Sequence, residues 1–397
     1  MEYSLEINTN KSELIVQRNK DKTPVKLFGE TLIPKKGAKY LGYEIRRRTT
    51  SNAQMQARTE KTKQAINALM YTLRSAKGIN NCNKANMAKS IITQTATYAV
   101  ETSSSKQTKT ILNTLERVQR KMARHILRAS KVTAIETTLE DLGWLTIEGV
   151  IDKNKLNFRK RLENEENTLH KGLLEISDDL GLPWSQETKK LKEKYNIEDT
   201  PDLKEYKRIV KSKIRKYEYQ ANRTKCAHKV TCADFLNVTE ATTEQEVKMK
   251  TYIKHNSNRR NSIATIHGWR AGYNDTAYIQ HLRHQQNNNT CQTCGEIETV
   301  RHITNECPAY QYERQILVEE LIAHEVDENI DLYDIVLCSK KFEEHAKWPN
   351  QKTQQIDGAI KNFVDWVYRR RNCKKLKRPA TKSTLPVFLK RPKGSLT

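Results

Sequence analysis

No run of 18 apolar residues occurs anywhere in the 397-residue chain, so no segment reads as a membrane-spanning helix. The opening MEYSLEINTN is not a secretory leader, and no lipidation motif is present. These absences lead us to expect an intracellular chain, nuclear or cytoplasmic, with no membrane partner. A disulfide framework is missing too. Five of the eight cysteines (Cys82, Cys226, Cys232, Cys338 and Cys373) are scattered, which suits a reducing compartment. Acid is the scarcest charge: 47 Asp and Glu stand against 71 Lys and Arg, a formal net charge of +24. With only 36% hydrophobic residues, the cores are modest and much of the surface is charged. Polyanions are the natural partners, because each phosphate neutralised releases condensed counterions; an anionic membrane surface is the competing polyanion. No internal repeat stands out, and the length leaves room for about two or three domains.

What is present is concentrated near the three-quarter point. Cys291, Cys294, His302 and Cys307 read C-x2-C-x7-H-x4-C within CQTCGEIETVRHITNEC. Three thiolates and an imidazole complete a tetrahedral Zn²⁺ shell, and a closed shell of this kind is structural rather than catalytic. Gly295 follows the first pair, where a tight turn needs positive φ. His281 and His284, three residues apart, are rival ligands, but Cys307 completes the better set.

The remaining chain is mostly helical in pattern. Short β-favouring runs at Leu5–Ile7, Leu14–Gln17, Val25–Phe28 and Tyr40–Ile45 precede it. Isolated strands cannot make a stable sheet, so they either pack on the following helices or form the trailing edge of a sheet begun elsewhere. In Lys109–Arg128, Leu112, Leu115, Val118, Met122, Ile126 and Leu127 recur at helical spacing. Arg117, Lys121, Arg124 and Arg128 form a neighbouring basic stripe, suited to tracking a phosphate backbone or to being an ordinary solvated face. Thr137–Trp144 reads as a short helix ended by Gly143, and Ile147–Arg161 as another. From Glu163 to Gln186 the composition is acidic and loop-like, suggesting a domain boundary. Pro201 then opens a basic helix with Leu203, Tyr206, Val210, Ile214 and Tyr217 on one side; Lys204, Lys207, Arg208 and Lys211 lie among the cations on the rest. Tyr310–His324 and Ile356–Arg369 read as helices, and the segment from Arg369 to Thr397, with eleven Lys/Arg and no acid, as a disordered cationic arm.

In order along the chain, these segments resemble the carboxy-terminal part of a non-LTR (LINE-like) retrotransposon reverse transcriptase. Leu5-Glu6-Ile7-Asn8-Thr9-Asn10-Lys11-Ser12-Glu13 is similar to the end of the palm, and Lys11 matches a lysine that the family is proposed to use in protonating pyrophosphate. Lys39-Tyr40-Leu41-Gly42 resembles the segment that closes the palm and starts the thumb. Leu115-Glu116-Arg117-Val118-Gln119-Arg120 and Glu140-Asp141-Leu142-Gly143-Trp144-Leu145 resemble the post-thumb region. Gly268-Trp269-Arg270-Ala271-Gly272, ahead of the cysteine pair, then Glu298-Thr299-Val300-Arg301-His302 and Cys307-Pro308, resemble the family's zinc-binding segment.

The resemblance implies a mainly α fold with a short β remnant of a palm at the start, a helical thumb and connector, and a small zinc-stapled module near the end. The divisions expected are 1–48 (palm remnant), 49–165 (thumb and post-thumb), 166–255 (acidic linker and basic connector), 256–325 (zinc module), 326–368 (C-terminal helices) and 369–397 (basic tail). It implies contacts to template RNA or target DNA through Arg117, Lys121, Arg124, Arg128, Lys204, Lys207, Arg208, Lys211 and Arg270. Polymerisation requires carboxylates holding two Mg²⁺ ions. The family's catalytic aspartates would precede this chain, and Asp178-Asp179, its one Asp-Asp pair, sits in the acidic stretch, so no Mg²⁺ site is expected here. Nor does the acidic pattern after Cys307 match an endonuclease. Three functions stay open: a nucleic-acid-binding fragment, part of an RNA-directed DNA polymerase whose palm lies on a separate segment, and a domesticated zinc-dependent scaffold binding protein through the Trp366 helix.

Overall fold

The computed structural model describes residues 8–16, 23–40, 43–46, 51–76, 78–102, 109–239, 248–327, 329, 331–339, 342–343 and 349–375. The expected strand Leu5–Ile7 and the cationic arm beyond 375 lie outside these residues. Helices dominate: α1 (Ser51–Ser75), α2 (Asn81–Thr97), α3 (Lys109–Leu127), α4 (Ile135–Asp141) and α5 (Ile147–Glu163) come first. On α3 the anticipated apolar face is the one that is buried: Leu115, Val118, Met122, Ile126 and Leu127 are all at most 9% exposed. Burying such side chains contributes about 1.5–3 kcal/mol each. Helix α4 ends in a left-handed cap at Gly143 (φ +62°), where the Trp144 N–H reaches back to the Leu139 carbonyl at 2.9 Å.

The chain begins more sparsely. Strands β1 (Val25–Leu27) and β2 (Glu30–Leu32) pair antiparallel, with Val25 opposite Leu32; β3 (Gly37–Tyr40) and β4 (Tyr43–Arg46) make a second antiparallel pair. They are two separate two-stranded ribbons, not one sheet. Val25, Phe28 and Ile33 are exposed, so the first ribbon does not bury its apolar residues against the helices.

The segment read as an acidic, loop-like linker is helical. It contains α6 (Thr168–Asp179) and α7 (Pro183–Tyr195), with Asn167 capping α6 and Pro183 at the first position of α7. Asp178 bonds Arg159 of α5 at 2.6 Å, and burial-opposed pairing holds its carboxyl down at about 2, with the Arg159 hydrogen bond the main cause. This stretch is therefore docked on α5 and is no boundary. Helix α8 (Leu203–Ala227) is capped by Asp202 and inserts Tyr206, Val210 and Ile214 into a core shared with Val150, Leu156 and Leu191.

A larger core runs from α1 through α4 to α9 (Ala233–Val238), α10 (Thr251–Lys254) and α11 (Arg260–Arg270). It continues past α12 (Ala277–Leu282) into α13 (Gln311–Ala323), α14 (Leu332–Val336) and α15 (Asn350–Lys375). The expected divisions at 255 and 325 thus do not separate cores. Helix α15 runs six residues beyond Arg369, so the first part of the expected arm is helix. No helix among the described residues is long and apolar enough to cross a membrane.

At the centre of this core lies Asp141, wholly buried. Its carboxylate accepts from Arg270 Nε at 3.1 Å and Tyr252 OH at 2.7 Å, and lies 2.9 Å from His267 Nδ1 and 3.0 Å from Arg270 Nη2. Burial alone would raise its pKa, but Arg270 and His267 hold the carboxyl well below the usual range. Arg270, expected to touch nucleic acid, is 0% exposed and also donates to the carbonyls of Leu337 and Cys338. That expectation is corrected: its charge is consumed inside the protein. Asp141→Asn is expected to lower the unfolding free energy by about 3–5 kcal/mol, since it strands a buried guanidinium. Urea denaturation followed by circular dichroism measures this, and a loss below about 1 kcal/mol would show the pair to be dispensable.

Candidate functional site

Two features carry functional chemistry. The first is the Cys/His cluster. A bridge between Thr290 and Ile297 closes a tight turn, within which the Gly295 N–H donates to the Cys291 carbonyl at 2.9 Å. Gly295 takes φ +82°, the left-handed conformation expected of it. This turn presents Cys291 and Cys294 on one side. The other two ligands come from a π-helical turn, His302–Glu306, closed by the Cys307 N–H donating to the His302 carbonyl at 2.8 Å. In an α-helix, residues five apart diverge by about 140°, so the wider turn is what brings His302 and Cys307 to one side.

The four ligand atoms lie within 4.8 Å of one another, and the group could hold a metal ion. Cys291 Sγ and Cys307 Sγ are 3.7 Å apart; Cys294 Sγ and His302 Nε2 are 3.3 Å apart. An ion with bonds of about 2.3 Å to sulfur and 2.0 Å to nitrogen spaces tetrahedral ligands by roughly 3.5–3.8 Å, so the set is compatible with zinc. The other imidazole nitrogen, Nδ1, faces Glu306 at 3.4 Å, an outer carboxylate of the kind that orients a ligating histidine. Burial raises the Cys291 thiol, but the Thr293 N–H and the neighbouring His302 and Cys307 outweigh it and bring it to about 6. Burial, followed by Cys291 and Cys294, pushes Cys307 up to about 12. Such crowding of sulfur suits a cation at the centre. His281 points its Nδ1 toward the Gln286 carbonyl and stays outside the group, as does His284.

The second feature is a cleft of about 730 Å³. Its lining includes Arg117, Arg120, Lys121, Arg124 and Arg128 from α3 and its end, Lys131 beyond it, Lys84 of α2 and Arg260 of α11. The anticipated stripe is thus joined by Arg120 of the same helix and by three cations, Lys84, Lys131 and Arg260, that helical spacing on α3 could not disclose. Among the described residues, no carboxylate and no Phe, Tyr or Trp lines it. Arg117, Lys121 and Arg128 are exposed; Arg124 is half-buried, held by the Thr133 carbonyl at 2.9 Å. Burial and the nearby Arg120 lower its pKa.

The other expected contacts are elsewhere. Lys204, Lys207 and Arg208 are exposed on α8, with Arg208 3.8 Å from Glu205, and none lines the cleft. Lys211 is half-buried near Lys89 and Lys153; burial first, then Arg215, Lys153 and Lys211, lower Lys89 to about 8. Lys11 is exposed in a single 3-10 turn, Thr9–Lys11, capped by Asn8. Asp178, half of the Asp-Asp pair, is committed to Arg159 and Lys189.

No protein-family model, curated protein or solved structure matches the chain.

Removing metal from the purified protein with a chelator, or replacing Cys307 by Ser, is expected to lower the melting temperature. Elemental analysis should give about one tetrahedrally bound ion per chain before chelation. An unchanged melting temperature and no bound metal would refute a metal centre.

Proposed function

We propose that this chain is a nucleic-acid-binding carboxy-terminal part of a non-LTR retrotransposon reverse transcriptase. In this reading it holds template RNA or target DNA in the cationic cleft, while a structural Zn²⁺ on Cys291, Cys294, His302 and Cys307 stiffens the module. The cleft is the observation that carries the reading. Eight Lys and Arg side chains from separate parts of the sequence converge on one concavity with no acid among its described lining residues, Arg120 being paired at 2.6 Å with Glu116 outside it. From Arg117 to Arg128 the helix rises about 16 Å, the axial length of roughly five nucleotides of one duplex strand. With no Phe, Tyr or Trp among its described lining residues to stack on bases, such a surface grips backbone and tolerates sequence.

Polymerisation would fall to a palm-bearing segment on another part of the polypeptide or on another chain, since the Asp178 carboxylate is already paired. A second reading, a protein-binding scaffold, draws support from a different element than expected. Trp366 is half-buried on a helix whose Phe363, Val364 and Val367 are in the core, whereas Leu169, Leu173, Ile176 and Leu180 leave an apolar row exposed along α6 and its end.

Fluorescence anisotropy on structured RNA, single-stranded DNA and duplex DNA tests the first reading. Between 50 and 200 mM salt the affinity should fall by about 10³–10⁵-fold if most of the eight cations engage phosphates. Replacing Arg117 and Lys121, both exposed, by Ala should weaken binding about equally for all sequences and reduce the salt slope by roughly two. Binding absent from all three ligands, or indifferent to salt, overturns the proposal; a scaffold would keep its protein partner in the same variant.

A further inference from the structure

One end of the cleft is built differently from the rest. Helix α2 starts there, with Asn80 as its N-cap accepting from the Asn83 N–H at 2.8 Å. Asn81, the first residue of the helix, is only 2% exposed, yet it lines the cleft. Its backbone N–H is used by the Ser257 carbonyl at 2.9 Å, whereas its side-chain Nδ2 has no acceptor among the described residues. Arg124 repeats the pattern: Nη2 is satisfied by Thr133, but its buried Nε has no acceptor. A buried donor without an acceptor is costly, and two on residues that line one cleft call for an oxygen-rich ligand.

The charges agree. Lys84, one turn beyond Asn81 on α2, is only 5% exposed and also lines the cleft. Arg128 is held by the Asn261 amide oxygen at 2.7 Å, and Arg260 donates to the Ile79 carbonyl at 3.2 Å. The neutral Asn261 oxygen fixes the Arg128 guanidinium without cancelling its charge. Burial, Arg260 and Arg128 together lower the Lys84 pKa, as expected of cations crowded against one another. The start of a 17-residue helix adds its own positive potential.

We infer that Asn81, Lys84, Arg124, Arg128 and Arg260 form a discrete phosphate-binding subsite that grips one phosphate of a bound nucleic-acid strand. A phosphate oxygen accepts from Asn81 Nδ2, another from Arg124 Nε, and the anion neutralises Lys84 between its two arginines. Arg117 and Lys121 lie outside this set and track the strand further along α3. The strand as the source of the phosphate rests on the function proposed above; the subsite itself does not.

The test uses the full chain and inorganic phosphate, with sodium chloride at matched ionic strength as control. Phosphate should raise the melting temperature saturably, broaden its own ³¹P resonance, and displace a labelled oligonucleotide. Asn81→Asp puts a carboxylate where the phosphate oxygen belongs, among cations that tolerate it. This variant should melt no lower than the parent but bind phosphate about tenfold or more weakly, the loss of a charge-assisted contact. Should it fail to fold, Lys84→Gln reads the same loss. The Arg117→Ala, Lys121→Ala variant should keep phosphate affinity within about twofold while losing oligonucleotide, because those side chains act through the backbone further along. Equal effects of phosphate and chloride, or an Asn81→Asp affinity equal to that of the parent, overturn the subsite and leave salt-dependent nucleic-acid binding standing. Saturable phosphate binding that never displaces an oligonucleotide overturns the strand as its source. Phosphate binding with no oligonucleotide binding at all sinks the nucleic-acid reading and leaves the subsite.

Discussion

The buried pair of Asp141 and Arg270 is the constraint on which the rest of the structure depends. Two charges taken out of water cost several kcal/mol each, and only a complete set of hydrogen bonds offsets that. Tyr252, His267 and the Leu337 and Cys338 carbonyls supply most of that set, Arg270 Nη2 being left with its ion contact to Asp141 alone, so one interaction joins α4, α10, α11 and the end of α14. The turns that deliver these partners leave no room for side chains. A Cβ at Gly143 would lie 2.5 Å from the Met249 nitrogen, and one at Gly272 would lie 1.4 Å from the Thr231 oxygen. Helix α11 then transmits the arrangement outward: Arg270 at its end is in the core, and Arg260, about 15 Å away at its start, reaches the cleft.

The Cys/His cluster is tied to the same body by α15. Arg371 clamps Glu298 at 2.8 Å and Asp275 at 3.2 Å, and Glu298 in turn accepts from the Ala277 N–H at 2.6 Å. Ser262 and Asp365 join α11 to α15 at 2.8 Å, and buried Lys361 pairs with Asp357 while donating to the His255 carbonyl. A metal bound by the four ligands would therefore stiffen a segment already bolted to the helix that backs α11. Its effect would reach the cleft wall through packing, without contact with the strand.

What was legible in the sequence is what short-range spacing encodes. The buried stripe of α3 follows from its apolar periodicity, and the four ligands follow from two local turns whose residues are close in the chain. Arg270 was misread because a cation on a helix carries no mark of the aspartate 129 residues earlier that neutralises it. The helix α6 was missed because Glu and Asp dominate its surroundings, although Leu169, Leu173, Ile176 and Leu180 sit at steps of four, three and four. Asn81, Lys84 and Arg260 were invisible as cleft residues for a different reason. Nothing in their spacing relates them to α3; only the packing of α2 and α11 beside it does.

The net charge of +24 also acquires a geography. On α5 and α7 several cations are met by the chain's own acids: Lys155 by Glu187, Arg159 by Glu163 and Asp178, Lys192 by Glu163 and Asp199, Lys194 by Asp152. These pairs organise a fold and have little charge left for a partner. At the cleft Arg120 is paired with Glu116 at 2.6 Å, but Arg128 rests on a neutral oxygen and Lys84 is pressed between like charges. Self-repulsion of this kind costs stability in the free protein and would be relieved by a bound anion. Part of the surplus that composition reports as a single number is therefore gathered in one concavity, and that placement is what favours the proposed phosphate-bearing partner.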